Sequence, residues 1–236
     1  MKSSLRRAPQ KQTVAPAFIT FEGIDGSGKS TQLRLLASDL RAQQRHLEIV
    51  VTREPGGTPL GARLRSALLD VETIVDPLAE LLLYAADRAQ HVRTLIRPAL
   101  DSGRIVLSDR YADATVAYQG AGRGFPRELI EQIIAIATAG LRPDLTLVFD
   151  VSPEAGLARR SRRMSGGSAS DRLDAESTEF HARVRAAYLE IAAREPVRVK
   201  VIDAGASIQV VHGRVKQIVS KFFKSRVPPK QPQDIQ

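Results

Sequence analysis

The stretch of the chain best equipped for chemistry is Gly23-Ile24-Asp25-Gly26-Ser27-Gly28-Lys29-Ser30-Thr31, which fits the phosphate-binding pattern G-x-x-x-x-G-K-[ST]. Glycine is needed there because successive backbone N–H groups must turn inward onto phosphate oxygens, a geometry that side chains would obstruct. Lys29 then reaches the β- and γ-phosphates, and the Ser30 hydroxyl is placed to ligate Mg²⁺. A helix opening at Lys29 adds the positive end of its dipole to the same site. Taken alone, the motif predicts a bound nucleoside triphosphate and leaves open a kinase, an ATPase, a GTP switch or a transporter subunit.

Four further segments carry arginines near predicted strand ends, where an open parallel sheet places its ligands. They are Thr52-Arg53-Glu54-Pro55-Gly56-Gly57-Thr58, Leu83-Tyr84-Ala85-Ala86-Asp87-Arg88, and Ser108-Asp109-Arg110-Tyr111 continuing to Thr115, Tyr118 and Gln119. The fourth runs from Asp150 into Arg159, Arg160, Arg162 and Arg163, and on to Asp171-Arg172-Leu173-Asp174. Asp109 closes an apolar run and is expected to hold Mg²⁺ through water. Tyr84 and Arg88, four residues apart, should share one helix face.

The elements that must position these groups follow from apolar periodicity. Short apolar runs predict strands at Phe18–Glu22, Leu47–Thr52, Ile105–Ser108, Leu145–Phe149 and Val197–Ile202. Helical spacing predicts helices over Lys29–Gln43, Pro77–Leu100, Pro126–Ala139 and Ala175–Ala193. Strands alternating with longer helical segments read as an α/β domain with a parallel sheet.

At 236 residues and 43% apolar content, the chain suits one well-buried domain. It has no cysteine, so it forms neither a disulfide framework nor a thiolate metal site, which agrees with a reducing, cytoplasmic setting. Apolar runs such as Leu78–Leu83 and Leu145–Val151 fall far short of the ~20 residues a membrane helix needs. The formal charge is +9, and +7 of it lies in residues 1–16 and 221–236. Residues 1–16 read as a disordered basic extension and 223–236 as a flexible Pro-rich tail. Nucleic acid and membrane are therefore not expected partners.

Together with Phe21-Glu22-Gly23-Ile24-Asp25-Gly26, these segments closely resemble the bacterial thymidylate kinases, in order and spacing from about Ala17 to Lys221. The resemblance implies a three-layer P-loop NTPase fold: a five-stranded parallel sheet flanked by helices, with a short mobile lid at about 157–175 in a nucleoside monophosphate kinase domain over 17–222. It implies phosphorylation of dTMP to dTDP by ATP and Mg²⁺ for dTTP synthesis, and a homodimer. Residue by residue, it puts Gly23 through Thr31 around ATP, Arg53 and Arg110 on the dTMP phosphate, and Asp25 beside both ligands. Tyr84 would stack on thymine, Arg88 would bond a base carbonyl, and Thr115, Tyr118 and Gln119 would read the base edge and sugar. Tyr118 would exclude a ribose 2′-hydroxyl. Ser30 and Asp109 would serve Mg²⁺. The family's usual serine before Thr115 is Ala114 here.

Charge completes the expectation. A phosphate monoester has its second pKa near ~6, so the acceptor is already largely a dianion at neutral pH and needs no general base. Bringing two polyanions together is the difficulty, each pair of unit charges ~4 Å apart costing about 4 kcal/mol at an effective dielectric of 20. Lys29, Arg53, Arg110, the lid arginines and Mg²⁺ are the cations expected to offset it, and because the P-loop carries Gly26 in place of an arginine, Arg160 and Arg162 are the preferred lid pair. The alternatives are a kinase for another nucleoside monophosphate, or a non-catalytic nucleotide switch whose basic tails bind nucleic acid.

Overall fold

Five parallel strands order as β2-β3-β1-β4-β5: β1 Ala17–Glu22, β2 Ile49–Arg53, β3 Ile105–Asp109, β4 Leu145–Asp150 and β5 Val199–Asp203. The computed structural model describes residues 15–43, 48–70, 74–165 and 172–226. The central strands are apolar on both faces, as crossover helices require. Phe18 packs with Val92, Ile96, Ala99, Val106 and Tyr111. Its neighbour Ile19 points the other way, into the larger core with Leu33, Leu36, Phe149, Val184 and Val215, as alternation along a strand dictates. β2 and β5 form the edges and are only partly buried.

The helices are α1 Lys29–Gln43, α2 Pro59–Leu69, α3 Pro77–His91, α4 Arg97–Asp101, α5 Ala112–Thr115, α6 Arg127–Thr138, α7 Pro153–Ser165, α8 Thr178–Arg194 and α9 Ile208–Ser225. π-Helical turns at Val92–Ile96 and Val116–Gly122 continue α3 and α5. The expected single helix over Pro77–Leu100 is therefore three segments. Its start is set by Asp76, whose carboxylate caps the N–H groups of Leu78 and Ala79. The expected start of a strand at Val197 moves to Val199, because Glu195 to Arg198 form a turn closed by backbone bonds and leave Val197 89% exposed. The helix expected from Ala175 opens at Thr178, where the Ser177 hydroxyl accepts the Phe180 N–H. α9 continues past the expected boundary at Phe222 to Ser225, and Arg226 pairs with Asp144 at 2.7 Å. Residues 166–171 of the expected lid, and most of both tails, lie outside the described residues.

The topology fixes where ligands go. β1 and β3 are neighbours, yet β1 leads to β2 on one side and β3 leads to β4 on the other. Such a reversal opens a crevice at the carboxyl ends of the two strands. All five strands end there on a charged residue: Glu22, Arg53, Asp109, Asp150 and Asp203.

Candidate active site

The phosphate-binding loop leaves β1 at Gly23 and enters α1 at Lys29. Gly26 has φ +81°, and a Cβ there would lie 2.1 Å from the Gly156 carbonyl oxygen at the start of α7. A side chain is excluded at this position by both backbone conformation and space. Lys29 donates to Asp25 Oδ1 at 3.1 Å. The Ser30 hydroxyl donates to Asp109 Oδ2 across the crevice from β3. The two residues expected to serve Mg²⁺ thus meet at the mouth of the loop. Among the described residues no cluster of three or more acidic or histidine side chains could hold a metal by protein ligands alone. A hydroxyl beside one carboxylate suits a cation that arrives on phosphates and keeps several waters.

Arg110 ties this loop to the second half of the site. It follows β3 with φ +74°, in the left-handed region that ordinary side chains seldom adopt. Several bonds hold it there: its own N–H to Phe21 O at 3.0 Å, the Ser108 hydroxyl to its carbonyl at 2.8 Å, and the Tyr111 N–H to Glu22 Oε1 at 2.7 Å. The guanidinium donates to Asp25 Oδ1 at 2.8 Å and to the Tyr118 hydroxyl at 2.9 Å. Tyr118 in turn donates to Asp25 Oδ2 at 3.2 Å. Burial alone would raise the Asp25 carboxyl, but the charges of Arg110 and Lys29 outweigh it and hold the group well below the usual carboxylate range. Glu22 behaves in the opposite way: burial, reinforced by the negative charge of Asp113, pushes it up to about 8. It therefore carries a proton at neutral pH beneath the junction, with Tyr188 donating to its Oε2 at 2.7 Å.

Beyond Arg110 lies a cleft of roughly 310 Å³ lined by Glu54, Tyr84, Arg88, Arg110, Ala114, Thr115, Tyr118, Gln119 and Leu173. Six expected acceptor residues converge there: Tyr84, Arg88, Arg110, Thr115, Tyr118 and Gln119. The π-helical turn after Thr115 places Tyr118 and Gln119 on this side, a distortion found often at functional sites. Arg88 is fixed by Glu54 Oε2 at 2.8 Å, Thr115 Oγ1 at 2.8 Å and Tyr111 O at 3.0 Å. Glu54 also contacts His91 Nδ1 at 2.9 Å, and His91 Nε2 meets Thr52 Oγ1 at 2.7 Å. Two expected acceptor residues do not line the cleft: Asp25 stands in the phosphate-binding loop, bonded to Arg110, and Arg53 is exposed at the end of β2, in register with Asp109.

The lid arginines separate in the same way. Arg160 is buried and lines a small cavity with Ile24, Asp25, Glu176, Thr178 and His181, directly against the P-loop. Arg162 is exposed. Arg159 is tied to the loop before α9, donating to Ala204 O at 2.9 Å and Gly205 O at 3.3 Å. Nothing of the Arg163 side chain is described. His181 Nε2 is buried and makes no hydrogen bond; burial lowers its pKa, and Arg160 lowers it further.

Sequence reasoning missed Glu22, Glu54, Glu80, His91, Leu173 and Tyr188 as parts of this site. Glu22 and Glu54 did carry a signal, since each is an acid at the end of an apolar strand, next to a residue already singled out.

Residues 21–215 match the family model described as Thymidylate kinase. A thymidylate kinase of Gloeobacter violaceus is 50% identical over 206 residues, covering 87% of this chain and 95% of its own length. One from Nitratidesulfovibrio vulgaris (strain DP4) is 53% identical over 207 residues, covering 86% and 92%. The crystal structure of thymidylate kinase from Ehrlichia chaffeensis superposes with a TM-score of 0.72 at 36% identity, covering 87% of this chain and 99% of that one.

Proposed function

The chain belongs to the thymidylate kinase family, an enzyme family that phosphorylates dTMP, and from that premise we propose how this chain does so with ATP and Mg²⁺. A nonbridging oxygen of the dTMP phosphate attacks the γ-phosphorus of ATP, and the bond from that phosphorus to the β–γ bridging oxygen breaks. The products are dTDP and ADP. No proton need be removed from the acceptor, because its second pKa near ~6 leaves it largely dianionic at neutral pH.

Each group has one task in this reading. The loop Gly23–Thr31 cradles the donor phosphates, with Lys29 on the transferring group. Mg²⁺ would be held by Ser30 Oγ and, through water, by Asp109, and it would supply charge neutralisation for the donor phosphates. Arg110 binds the acceptor phosphate, supported by Arg53. Tyr84 stacks on the base, Arg88, Thr115 and Gln119 read its edge, and the Tyr118 ring fills the space a ribose 2′-hydroxyl would need. Arg160, which lines a cavity with Ile24 and Asp25 of the P-loop, is the lid cation that meets the transferring phosphoryl, with Arg162 joining it from the exposed face.

The observation that carries this reading is that Lys29 of the donor loop and Arg110 of the acceptor cleft donate to the same Asp25 oxygen, at 3.1 and 2.8 Å. The two phosphates are thereby directed to one point. The assay is ATP and Mg²⁺ with equal amounts of dTMP, UMP, CMP, AMP and GMP. Formation of dTDP ahead of all other diphosphates is expected; hydrolysis without transfer, or a different preferred acceptor, overturns it.

The proposal includes work in the cytoplasm as a homodimer. Leu78 and Leu82 on α3 and Ile136 on α6 are 46%, 52% and 74% exposed, and α3 packs against α6. Large apolar side chains left exposed on two packed helices favour an interaction surface here. Sedimentation should give twice the chain mass of 25.8 kDa.

A further inference from the structure

We propose that Glu80 couples the 3₁₀ turn Arg172–Ala175 to occupancy of the acceptor cleft, acting as a positioning residue. It lies in the first turn of α3 and is fully buried. Its Oε1 accepts from Gln119 Nε2 at 2.7 Å and from Arg123 Nε at 3.2 Å. Its Oε2 accepts from Arg123 Nη2 at 3.0 Å and from Arg172 Nη2 at 2.6 Å.

One carboxylate thus joins two parts of the enzyme that act on different ligands. Gln119 lines the acceptor cleft, on the π-helical turn that also carries Tyr118. Arg172 belongs to the 3₁₀ turn at the end of the lid, and the next residue, Leu173, covers the same cleft. Arg172 also donates to Leu68 O of α2 at 3.1 Å. Arg123 continues the chain to Glu176 at 2.6 Å, just before α8. Glu176, Arg123, Glu80 and Arg172 therefore alternate in sign and sum to zero charge. Such a set is stable when complete and strongly penalised when one member is withdrawn, because a buried charge is left unmatched.

The bonding leaves little freedom for partial engagement. All four donors reach Glu80 oxygens, so a shift of Gln119 when the cleft fills is felt at the oxygens that hold Arg123 and Arg172. Glu80 precedes Tyr84 by four residues and Arg88 by eight, the spacing of one helix face. Burial opposes ionisation of Glu80, but the bonds from Arg123, Gln119 and Arg172 prevail and lower its pKa. It therefore stays an acceptor throughout the working pH range.

This inference rests on the assignment of the cleft to dTMP. The test uses the full chain carrying Glu80→Gln, Arg172→Gln, both together, and Tyr84→Ala as a probe of the cleft itself. Glutamine matches the shape of glutamate but turns one acceptor oxygen into a donor facing at least two donors. Glu80→Gln should raise the KM for dTMP roughly tenfold, within the 5–150-fold span usual for coupled sites, and lower kcat, with the KM for ATP within about twofold. Arg172→Gln should reproduce most of this, and the double variant should be no worse than Glu80→Gln, because the two residues act through one contact. Saturating dTMP should slow tryptic cleavage after Arg172 in the wild type and not in Glu80→Gln. Additive losses, or dTMP protection retained in Glu80→Gln, overturn the coupling. If Glu80→Gln does not fold, Arg172→Gln decides alone: a wild-type KM overturns it. An unchanged dTMP KM in Tyr84→Ala would overturn the cleft assignment and the coupling with it, whereas a raised value there beside wild-type Glu80→Gln kinetics would overturn the coupling only.

Discussion

Replacing Arg110 by glycine and by alanine should separate stability from catalysis at one position. Both changes delete the guanidinium that bridges Asp25, Tyr118 and Tyr188, so both leave Asp25 with Lys29 as its remaining cation. They differ in the backbone. At φ +74° a side chain with a Cβ costs roughly 1–2 kcal/mol that glycine does not incur, while glycine loses about 0.5–1 kcal/mol through the greater freedom of its unfolded chain. The net difference favours glycine by about 0–1.5 kcal/mol. For a chain of this size, where 1 kcal/mol moves Tm by about 2–4 °C, Arg110→Gly should melt up to ~6 °C above Arg110→Ala. Activity should not follow. Loss of one preorganised donor at a developing charge costs ~10²–10³ in rate, so both variants should fall by at least ~10² in kcat/KM for dTMP. Thermal denaturation with a coupled ADP-release assay measures both quantities on one preparation. A glycine variant that melts below the alanine one would refute the strain at Arg110, and one that retains wild-type turnover would refute its role on the acceptor phosphate.

Three other outcomes follow from the same geometry. Gly26→Ala meets the Gly156 carbonyl oxygen at 2.1 Å and adds roughly 1–3 kcal/mol of backbone strain; it should weaken binding of a nonhydrolysable ATP analogue and lower the urea midpoint, and normal binding would contradict the packing of α7 on the loop. Arg160→Ala should cut kcat by ~10³ and Arg162→Ala much less, because Arg160 is buried and lines a cavity beside the P-loop while Arg162 is exposed; equal losses would reject that division. Glu22, raised to about 8 from 4.5, binds more protons folded than unfolded between those pH values, so its contribution to stability falls as pH rises through that window and the penalty is absent below it. Glu22→Gln mimics the protonated form, so its stability relative to wild type, from urea titrations at pH 5 and pH 8, should improve at the higher pH; parallel behaviour at both would exclude a raised pKa.

Much of the sheet was legible in the sequence because buried parallel strands are continuous apolar runs, and the β1, β3 and β4 spans are almost as expected. The edges were less so: β2 and β5 are half-exposed, and their starts moved by two residues. α2 went unread because its entry, Glu54 to Gly61, is rich in Gly and Pro, and the helix buries only Gly61 and Leu68. α9 carries Val211, Val215 and Val219 at four-residue spacing, a signal that Gly213 and flanking basic residues diluted. Within the site, residues in the P-loop and the arginine motifs were legible because their chemistry is local. Glu80 was not, since an acid reads as exposed unless its partners are known, and distant partners stayed hidden: Arg172 is 92 positions from Glu80 and Tyr188 is 166 from Glu22.

Those distant partners converge on a single electrostatic problem. Lys29 and Arg110 must stand close together to meet two phosphates, yet like charges ~4 Å apart repel by about 4 kcal/mol at an effective dielectric of 20. Asp25 removes that repulsion before any ligand arrives by accepting from both on one oxygen, and Tyr118 holds its other oxygen in place. The carboxylate works only if it stays ionised, which its depressed pKa ensures, and only if no second buried anion competes for Arg110. Glu22, the nearest candidate, is neutralised by its own proton. The pair of carboxyls thus splits into one charged and one neutral member, and the split keeps the two cations aligned for phosphoryl transfer with little reorganisation when substrates bind.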